Sequence, residues 1–464
     1  MLRRILLSLT YVVLTILVVA GTFVLVAYGN DYSYDFSTHK IIQNGHIIID
    51  SIPSGVQVRA DGKDIKKKTP YQAVYKVGTH TFSLAENGYW TWQKTLSVSP
   101  GVVTLANYVV LVPRNPKVTV LDSRTQILSE SVSKDLRQLA YITGGPDGAV
   151  YTMDLGNPTA VKIYTPQPAT ATTPAEVLTG VSWSADNSHL LISSLIGSTV
   201  TYRLASASGG TPVDLTTQYQ FDFTGLTFSS DNWQQMYWIS PDGLRRLDVS
   251  AQSVSAVLAP NVIQFWVVPG RVLYIQQSDG ADELWSVDGS GHHQELIEAL
   301  AASSSYSVTY ANFGGTDELA VVPVKTGTGT LYSGIYSSNP VAKVIARGVT
   351  AASFSPDGHL LAFSSPSSVV TYDLNQSTIF DRLVSYTITN QPGNLSYLSW
   401  FDNYHLLTNR SGSLYWSEYD GSNLIKLGPV DQAFSVYGTS DAKSITEFKP
   451  EPNGVQVAQL QIIK

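Results

Sequence analysis

Two adjacent histidines could bind a metal ion, but their spacing does not favour one. The pair His292-His293 offers two nitrogen ligands for zinc. Successive side chains of a strand point to opposite faces, and a loop pair by itself lacks the third ligand that a zinc site needs. The pattern therefore indicates a hydrated loop, and we predict no metal site.

Aspartate recurs in seven Asp-Gly pairs, which resemble an acidic ligand set until the chemistry of turns is considered. The pairs begin at Asp61, Asp147, Asp242, Asp279, Asp288, Asp357 and Asp420. Asp and Gly both tolerate the left-handed backbone that tight hairpins require. The Asp-x-Asp-x-Asp-Gly pattern of a calcium loop does not occur in the sequence. These pairs therefore predict turns and no calcium site.

The sequence also lacks the residues that nucleophilic catalysis and glycoside hydrolysis usually employ. The sequence has no cysteine, which removes thiol nucleophiles, thiolate metal ligands and disulfides. A serine hydrolase of the prolyl-peptidase type needs a Gly-x-Ser-x-Gly turn, and no such pentapeptide occurs. The arginine cluster and Asp-box turns of a sialidase are not evident either. We therefore predict that the protein is not an enzyme, with no catalytic, cofactor-binding or metal residues and no cofactor.

Five aromatic residues recur near one position of a repeated unit and could form a ligand site. They are Trp183, Phe228, Trp266, Phe354 and Trp400. Sugar-binding platforms use Trp and Tyr, so a carbohydrate site is one interpretation. Aromatic residues at this position also pack against the next sheet of a stacked array. We predict core packing for all five, and the ligand-binding residues stay unknown from the sequence.

The charge of the chain argues against a nucleic-acid partner. Charged residues make up 14% of the sequence and the net charge is −7. Nucleic-acid binding needs Lys and Arg clustered on one face, and no such face is evident. The single basic run, Lys66-Lys67-Lys68, could touch anionic lipid or an acidic polymer, but a solvated turn between strands is the simpler interpretation.

A charge-free segment near the N-terminus predicts a transmembrane helix. Ile5 to Tyr28 contain no charged residue, and at about 1.5 Å per residue they span roughly 36 Å. Arg3-Arg4 precede this segment and Asp31 is the first charge after it, so the N-terminus is predicted in the cytoplasm and the bulk of the chain outside. Val18-Val19-Ala20 would suit a cleaved signal peptide, but the apolar run continues beyond it. We predict residues 1–28 as a cytoplasmic stub and an uncleaved signal anchor in the cell membrane.

Residues 46–113 are predicted to form a small all-β module. Six short strand patterns, with turn residues between them and no helical period, predict a small β-sandwich or barrel-like module. A polar segment at 29–45 precedes the module as a tether, and Pro113-Arg114-Asn115-Pro116 ends it. Trp90 and Trp92 share one strand face by the period of two, which predicts that both pack in the core.

The module resembles the PEGA domain, a family named for a Pro-Glu-Gly-Ala turn. The matching motifs, in the family's order and spacing, are Ser51-Ile52-Pro53-Ser54-Gly55-Val56, Asp61-Gly62-Lys63, Thr69-Pro70, Gly78-Thr79-His80, Gly88-Tyr89 and Trp92. Val56 replaces the family's Ala, and Lys68 stands where the family usually has Gly. The tether, with Tyr34-Asp35-Phe36 and Ile42-Gln43-Asn44-Gly45, also looks like the lead-in of membrane-anchored PEGA proteins of small-genome bacterial lineages. The resemblance implies a cell-envelope protein and no reaction.

A repeat of about 44 residues organises residues 117–464. The sequence SFSPDGHLLAF at 353–363 returns as SWSADNSHLLI at 182–192. The anchor of each unit is an Asp or its substitute, at Asp135, Asp186, Asp231, Gly270, Asp317, Asp357, Asp402 and Asp441. Such a period, with only strand patterns inside each unit, indicates the four-stranded blades of a β-propeller. We predict eight blades, with seven as the alternative because the anchors Gly270 and Asp317 are weak. The Ser-Phe-Ser-Pro-Asp-Gly turn before Leu-Leu-Ala-Phe resembles the TolB-type propeller repeat.

The two ends of the repeated region predict how the ring closes. The last unit offers three strands, and Lys117–Leu121 is a strand pattern without a blade of its own. Because open strand edges invite aggregation, we predict that this early strand completes the last blade.

These features predict the class of protein but not its ligand. The expected architecture is all-β: an N-terminal transmembrane helix, a PEGA β-sandwich and a propeller. We expect a non-catalytic, membrane-anchored extracytoplasmic protein of the bacterial cell envelope, whose propeller is a binding or scaffold module for a protein or glycan. A propeller-based glycan-active enzyme and a structural surface-layer component are the alternatives. Specificity is expected in segments that differ between units, at 156–180, 325–330 and the loops near 290 and 390.

Overall fold

The computed structural model describes most of the chain. The described residues are 2–36, 39–145, 148–278, 281–375, 383–389 and 391–464, with side chains from residue 9 onward. Three sequence predictions fall on other residues: the turns at Asp147 and Asp279 and part of the loop near 390 lie outside the described residues. The chain divides into two compact units, Met1–Pro116 with Ile462–Lys464, and Lys117–Gln461.

The first unit begins with the apolar helix that the sequence predicted. Helix α1 comprises Leu2–Gly29. Its segment Leu9–Gly29 is long and apolar enough to cross a membrane. Two of the threonine hydroxyls of this segment, on Thr15 and Thr22, donate to the carbonyls of Tyr11 and Val18 one turn earlier. The hydroxyls are therefore satisfied inside the helix, as an apolar surrounding requires.

A short hairpin follows α1, at the position where the sequence predicted a tether. Strands β1 (Tyr32–Asp35) and β2 (Lys40–Gln43) pair in antiparallel fashion. The amide of Asn44 donates to the carbonyl of Asp31 at 2.9 Å, which ties the end of the hairpin to its beginning. Most of the segment at 29–45 is thus regular structure.

The PEGA-like module is a two-layer β-sandwich. Its strands are β3 (Gly45–Ile52), β4 (Gln57–Ala60), β5 (Lys63–Lys68), β6 (Tyr71–Tyr75), β7 (Gly78–Ala85), β8 (Trp92–Val98) and β9 (Val103–Val110). They form a three-stranded sheet, β6-β3-β9, and a four-stranded sheet, β5-β4-β7-β8. Burial alternates along β3, as expected for a strand with one face in a core. The core contains Ile47, Ile49, Val56, Val58, Phe82, Leu84, Trp92 and their neighbours.

Two predictions for this module are wrong and one departure from the family pattern is explained. Lys66-Lys67-Lys68 lie in β5, which is an edge strand and not a turn. Exposed lysines on an edge strand discourage pairing with other chains, so this run is a structural feature. Trp90 is 41% exposed and stacks on the Arg114 guanidinium at 5.0 Å, whereas Trp92 is buried as predicted. Val56 fills the core, which accounts for a larger side chain than the family's Ala.

The described residues of the second unit form eight four-stranded antiparallel sheets, numbered here as blades 1 to 8 in chain order. Blades 1 to 4 consist of β11 (Ile127–Val132), β12 (Gln138–Thr143), β13 (Val150–Asp154) and β14 (Val161–Tyr164); β15 (Glu176–Trp183), β16 (His189–Ile196), β17 (Thr199–Ser206) and β18 (Val213–Asp214); β19 (Thr224–Phe228), β20 (Gln235–Ser240), β21 (Gly243–Asp248) and β22 (Ser253–Val254); and β23 (Val262–Val268), β24 (Arg271–Ser278), β25 (Ala281–Asp288) and β26 (Glu295–Leu300). A short helix α2 (Leu215–Tyr219) follows β18 and is capped by the Asp214 carboxylate.

The remaining blades complete the unit. Blades 5 to 8 consist of β27 (Tyr306–Phe313), β28 (Thr316–Pro323), β29 (Thr328–Ser333) and β30 (Val341–Arg347); β31 (Ala351–Phe354), β32 (Leu360–Ser364), β33 (Val369–Asp373) and β34 (Val384–Ile388); β35 (Leu395–Trp400), β36 (His405–Arg410), β37 (Ser413–Glu418) and β38 (Ile425–Pro429); and β39 (Tyr437–Gly438), β40 (Ser444–Glu451) and β41 (Gly454–Gln461) with β10 (Lys117–Arg124). The propeller class of the fold is therefore confirmed. The units anchored at Gly270 and Asp317, which were the weakest in the sequence, are both four-stranded sheets.

The first strand of the unit completes the last blade, as the sequence predicted. Strand β10 pairs with β41 from Lys117↔Gln461 to Arg124↔Val455, giving the order β10-β41-β40-β39. Blade 8 then packs on blade 1 through a cluster that includes Phe434, Phe448 and Tyr151. Similar clusters join blades 1–2, 2–3, 3–4, 4–5, 5–6 and 6–7. Blades 1 to 6 thereby bury both of their faces. Blade 7 contacts the segment that leads into blade 8 through the hydroxyls of Tyr397 and Ser399, which donate to the carbonyls of Ala433 and Val436.

The repeated motif of the sequence is a hydrogen-bonded turn between the first two strands of a blade. The hydroxyls of Ser133, Ser184, Ser355 and Thr439 each donate to the aspartate two residues later, at 2.6, 2.5, 2.9 and 2.7 Å. The same hydroxyls accept the amide of the residue five positions later, at 2.9 to 3.0 Å. The residue after each aspartate has a left-handed backbone, and Gly358 meets that requirement without strain. The anchor aspartates are thus explained by turn chemistry.

We expect Ser355→Ala to destabilise the propeller, because Ser355 is buried and its hydroxyl satisfies both the Leu360 amide and the Asp357 carboxylate. Loss of a buried hydrogen-bonding group costs about 1–3 kcal/mol. The thermal unfolding of the full chain in detergent micelles measures the effect. Ser353→Ala, in the strand just before, is the matched control, since the Ser353 hydroxyl makes a long contact of 3.5 Å with the Phe354 carbonyl. Equal midpoints for the two variants would contradict this role of the turn.

Candidate functional site

A cavity of about 650 Å³ lies where the inner strands of five consecutive blades end. Strands β11, β15, β19, β23 and β27 contribute its walls, together with the turns that follow the first four of them. The lining residues are Ser131, Val132, Lys134, Ser182, Trp183, Ser184, Ala185, Thr227, Phe228, Ser229, Ser230, Trp266, Val267, Val268, Pro269, Val308, Thr309 and Tyr310. A concave site with aromatic walls and dispersed polar groups is typical of a small-ligand pocket.

Three half-buried aromatic side chains line the cavity beside the buried Phe228. Trp183 ends β15, and its indole nitrogen donates to the Ser131 carbonyl of the neighbouring blade at 2.9 Å, which holds the ring in place. Trp266 lies in β23 and is half-buried against the core of blades 4 and 5. Tyr310 lies in β27, and its hydroxyl donates to Asp317 at 2.5 Å. Burial and this bond raise the pKa of Tyr310 above its ordinary value, so its hydroxyl stays protonated.

The five aromatic residues predicted as core do not share one environment. Phe228 and Trp400 are 6% and 8% exposed and pack in the core as predicted, although Phe228 also borders the cavity. Phe354 is half-buried against the core of blades 5 and 6. Trp183 and Trp266 are half-buried, and both line the cavity. Core packing is therefore an incomplete description of these two residues.

The cavity is nearly neutral. Serine and threonine provide most of its polar side chains, and Lys134 is its charged residue at the rim. None of the described residues that line it carries a carboxylate or an imidazole group. The walls thus offer ring faces for stacking and hydroxyls that both donate and accept hydrogen bonds. This combination suits an uncharged ligand that is itself rich in hydroxyl groups.

The other candidate residues lie apart from the cavity. His293 bonds to the Asp288 carboxylate at 2.5 Å and His292 to the Ser290 hydroxyl at 2.9 Å, within an exposed loop. Over the described ranges of the chain, no group of three or more His, Asp or Glu side chains is placed to hold a metal ion. None of the described lining residues belongs to 156–180, to 325–330 or to the loop near 290, where specificity was expected.

Tyr310 was missed in the sequence because it lies outside the repeated aromatic position. It precedes its anchor Asp317 by seven residues, whereas Trp183 precedes Asp186 by three. The available signal was the alternation of β27, which pairs with β28 along its whole length. That signal identifies a strand but not which of its side chains reaches the cavity.

A half-buried carboxyl group lies at the seam between blades 8 and 1. Glu130 of β11 accepts the Tyr437 hydroxyl of β39, at 2.8 Å on Oε1 and 2.7 Å on Oε2. Burial raises the pKa of the Glu130 carboxyl above its usual value, although the Tyr437 bond opposes the shift. The inner strands of the first and last blades are thus joined by a hydrogen bond to a carboxyl group whose pKa is raised.

The comparisons with known proteins identify the small module. Residues 44–113 match the PEGA domain family. Among solved structures, the chain is similar to the Dos1 propeller, with 12% identity, a TM-score of 0.48 and coverage of 75% of this chain and 95% of that one. It is also similar to oligogalacturonate lyase from Vibrio parahaemolyticus, with 11% identity, a TM-score of 0.41 and coverage of 75% and 93%. No curated protein matches the chain.

We expect Glu130→Gln to change the pH dependence of stability. A carboxyl whose pKa is raised by folding binds its proton more tightly in the folded state, so the free energy of unfolding decreases as pH rises from the ordinary carboxyl range through the raised pKa. The neutral Gln side chain does not titrate in this range, so it does not lower the free energy of unfolding as pH rises. The unfolding midpoint of the variant, relative to that of the parent chain, should therefore increase between mildly acidic and neutral pH.

The control for this experiment is Glu451→Gln, at the exposed end of β40. Thermal unfolding of the parent chain and both variants, over a series of pH values, measures the differences. A midpoint difference for Glu130→Gln that stays constant across the series would contradict the assignment.

Proposed function

We propose that this protein is a non-catalytic, membrane-anchored extracytoplasmic protein of the bacterial cell envelope, and that its propeller binds an uncharged segment of a glycan. The observation that carries the proposal is the neutral cavity with Trp183, Trp266 and Tyr310 among hydroxyl side chains. Pyranose rings present apolar faces and hydroxyl edges, which match aromatic faces and Ser or Thr hydroxyls. An anionic ligand would find one lysine, at the rim.

The anchored, outward orientation is supported by the N-terminal sequence and the PEGA domain. Helix α1 can cross a membrane, Arg3-Arg4 precede its apolar segment and Asp31 follows it. Positively charged flanks favour the cytoplasmic side. The PEGA domain at 44–113 follows the helix and the β1–β2 hairpin in the chain, and it is the kind of module that envelope proteins carry.

The proposal is non-catalytic because the cavity lacks the groups that glycan cleavage uses. Glycoside hydrolysis employs two carboxylates roughly 5–10 Å apart on either side of the bond. The described lining residues include none. The cavity is therefore proposed as a recognition site, and cleavage of a bound oligosaccharide by the full chain would favour the alternative of a glycan-active enzyme.

The first test concerns topology. A peptide tag placed after Lys464 should be removed by a protease added to spheroplasts, while a cytoplasmic marker protein stays intact. This result is expected because the positively charged residues before α1 favour a cytoplasmic N-terminus, which places the chain after α1 outside the cell. A tag that is protected until the membrane is permeabilised would refute the extracytoplasmic location.

The second test concerns the ligand. The full chain in detergent micelles is titrated with a panel of neutral hexose oligosaccharides and with the corresponding uronic-acid oligosaccharides. Trp183→Ala and Trp266→Ala should each weaken binding of the neutral ligands by about tenfold, which corresponds to about 1.4 kcal/mol for a lost stacking surface.

Trp90→Ala is the control, since Trp90 is an exposed tryptophan of the PEGA domain. This variant should bind as the parent chain does. Unfolding midpoints of all variants show whether a loss of binding reflects a loss of fold. A preference for the uronic-acid ligands, or equal loss in all three variants, would refute the neutral-glycan site.

A further inference from the structure

An apolar groove of about 580 Å³ lies between the end of α1 and the β1–β2 hairpin. Four residues of the last two turns of α1 form one wall: Phe23, Val24, Ala27 and Tyr28. The hairpin and its surroundings form the other: Asp31, Tyr32, Ser33, Tyr34, Ile41, Asn44 and Val74. The groove thus begins inside the apolar helix and ends at the first polar residues beyond it.

One face of the hairpin is apolar and uncovered. Tyr32, Tyr34 and Phe36 alternate along β1 and its turn, so they share a face, and Ile41 is the cross-strand partner of Tyr34. Phe36 is 81% and Ile41 66% exposed, and the two tyrosines are also exposed. Exposed aromatic residues concentrated on one side of so small a sheet indicate an interaction surface.

The opposite face of the hairpin makes polar contacts. Asp35 pairs with Lys76 of the PEGA domain at 3.4 Å, and the side chain of Asn44 donates to the Ser33 hydroxyl at 3.0 Å. The hairpin therefore has one polar face toward the sandwich and one apolar face away from these contacts.

The hairpin is held close to the end of α1. The amide of Asn30 donates to the Val26 carbonyl at 3.1 Å, and the Gln43 side chain donates to the Asn30 carbonyl at 3.3 Å. Asp31 bonds to His46 of β3 at 2.5 Å. Tyr32 follows the end of the apolar helix by three residues. When α1 spans a bilayer, these contacts place the apolar face of the hairpin at the level of the lipid headgroups.

We propose that the hairpin lies in the membrane interface and that the groove holds an acyl chain of a lipid from the leaflet it faces. Tyrosine and phenylalanine favour this region of a bilayer, where a ring can be buried beside polar headgroups. The described residues that line the groove include no lysine or arginine, and Asp31 lies at its polar end. The lipid is therefore one with a neutral or zwitterionic headgroup. The inference rests on the membrane anchor of the proposed function and is independent of glycan binding.

Because the sequence contains no cysteine, a fluorophore can be attached at a single introduced cysteine. Single-cysteine variants of the full chain carry an environment-sensitive fluorophore and are placed in phosphatidylcholine nanodiscs that contain a nitroxide-labelled lipid. Ile41→Cys, on the apolar face, should be quenched at least about twofold more strongly than Lys40→Cys, its neighbour on the other face. Equal quenching at the two positions would overturn the interfacial placement.

A third labelled position tests separately whether α1 spans the bilayer. Leu17→Cys, near the middle of α1, should be quenched by a nitroxide deep in the acyl chains. Quenching at position 17 without a difference between positions 40 and 41 would refute the hairpin proposal and leave the anchor intact. Lack of quenching at position 17 would refute both.

The lipid in the groove is tested by native mass spectrometry of the full chain released from detergent. Ala27→Phe places a ring in the groove and should reduce the fraction of chains that retain a lipid by about half or more, whereas Ala20→Phe, two turns earlier on the same side of α1, should not. Equal retention in the parent chain and both variants would show that lipid does not occupy this groove.

Discussion

The pairing of β10 with β41 is the contact on which the rest of the propeller depends. A four-stranded sheet can bury both faces only when a sheet packs on each side, so an open row of blades would expose one face at each end. Blade 8 contains one strand from the start of the unit and three strands from its end, so both ends of the unit contribute to the last blade. Blade 8 then packs on blade 1, and Tyr437 reaches Glu130 across that seam. Blade 1, on which blade 8 packs, also supplies Ser131, Val132 and Lys134 to the wall of the cavity.

The repeated turn of a blade also makes hydrogen bonds to the turn of a neighbouring blade. Besides closing the first two strands, the turns touch one another around the ring: the Lys134 amide donates to Asn187, and the Gly270 amide donates to Asp231. A third contact of this kind joins the Asp357 amide to Asn403. Polar residues that appear in one sequence to be only turn formers therefore also fix the spacing between blades. That spacing sets the width of the cavity, since the lining side chains lie directly before or within these turns.

The sequence predicted the elements of this fold better than its site, and the reason is physical. A repeat with a hydrogen-bonded turn is a local signal, so blade positions could be predicted from residues near to one another. The closing strand could be predicted because the last unit lacks one strand and Lys117–Leu121 is a strand pattern without a blade. Whether an inner-strand aromatic residue faces a neighbouring blade or the shared interior depends on the geometry of the closed ring. Trp183 and Trp400 carry the same local signal, yet one lines the cavity and the other is buried. Tyr310 carries no repeat signal, and it reaches the cavity because β27 borders it.

The same distinction explains the segment between helix α1 and the PEGA domain. Its polar and aromatic residues predicted a tether, because neither a helical period nor a long alternation is present in so short a stretch. The hairpin is instead held by contacts that are distant in sequence: Asp31 with His46, and Asp35 with Lys76. These contacts use the polar residues of the segment and leave its aromatic residues on the other face. A flexible tether does not require polar and aromatic residues to lie on separate faces. A hairpin placed between a protein surface and a lipid surface requires this separation, because each face then meets the environment that its side chains favour.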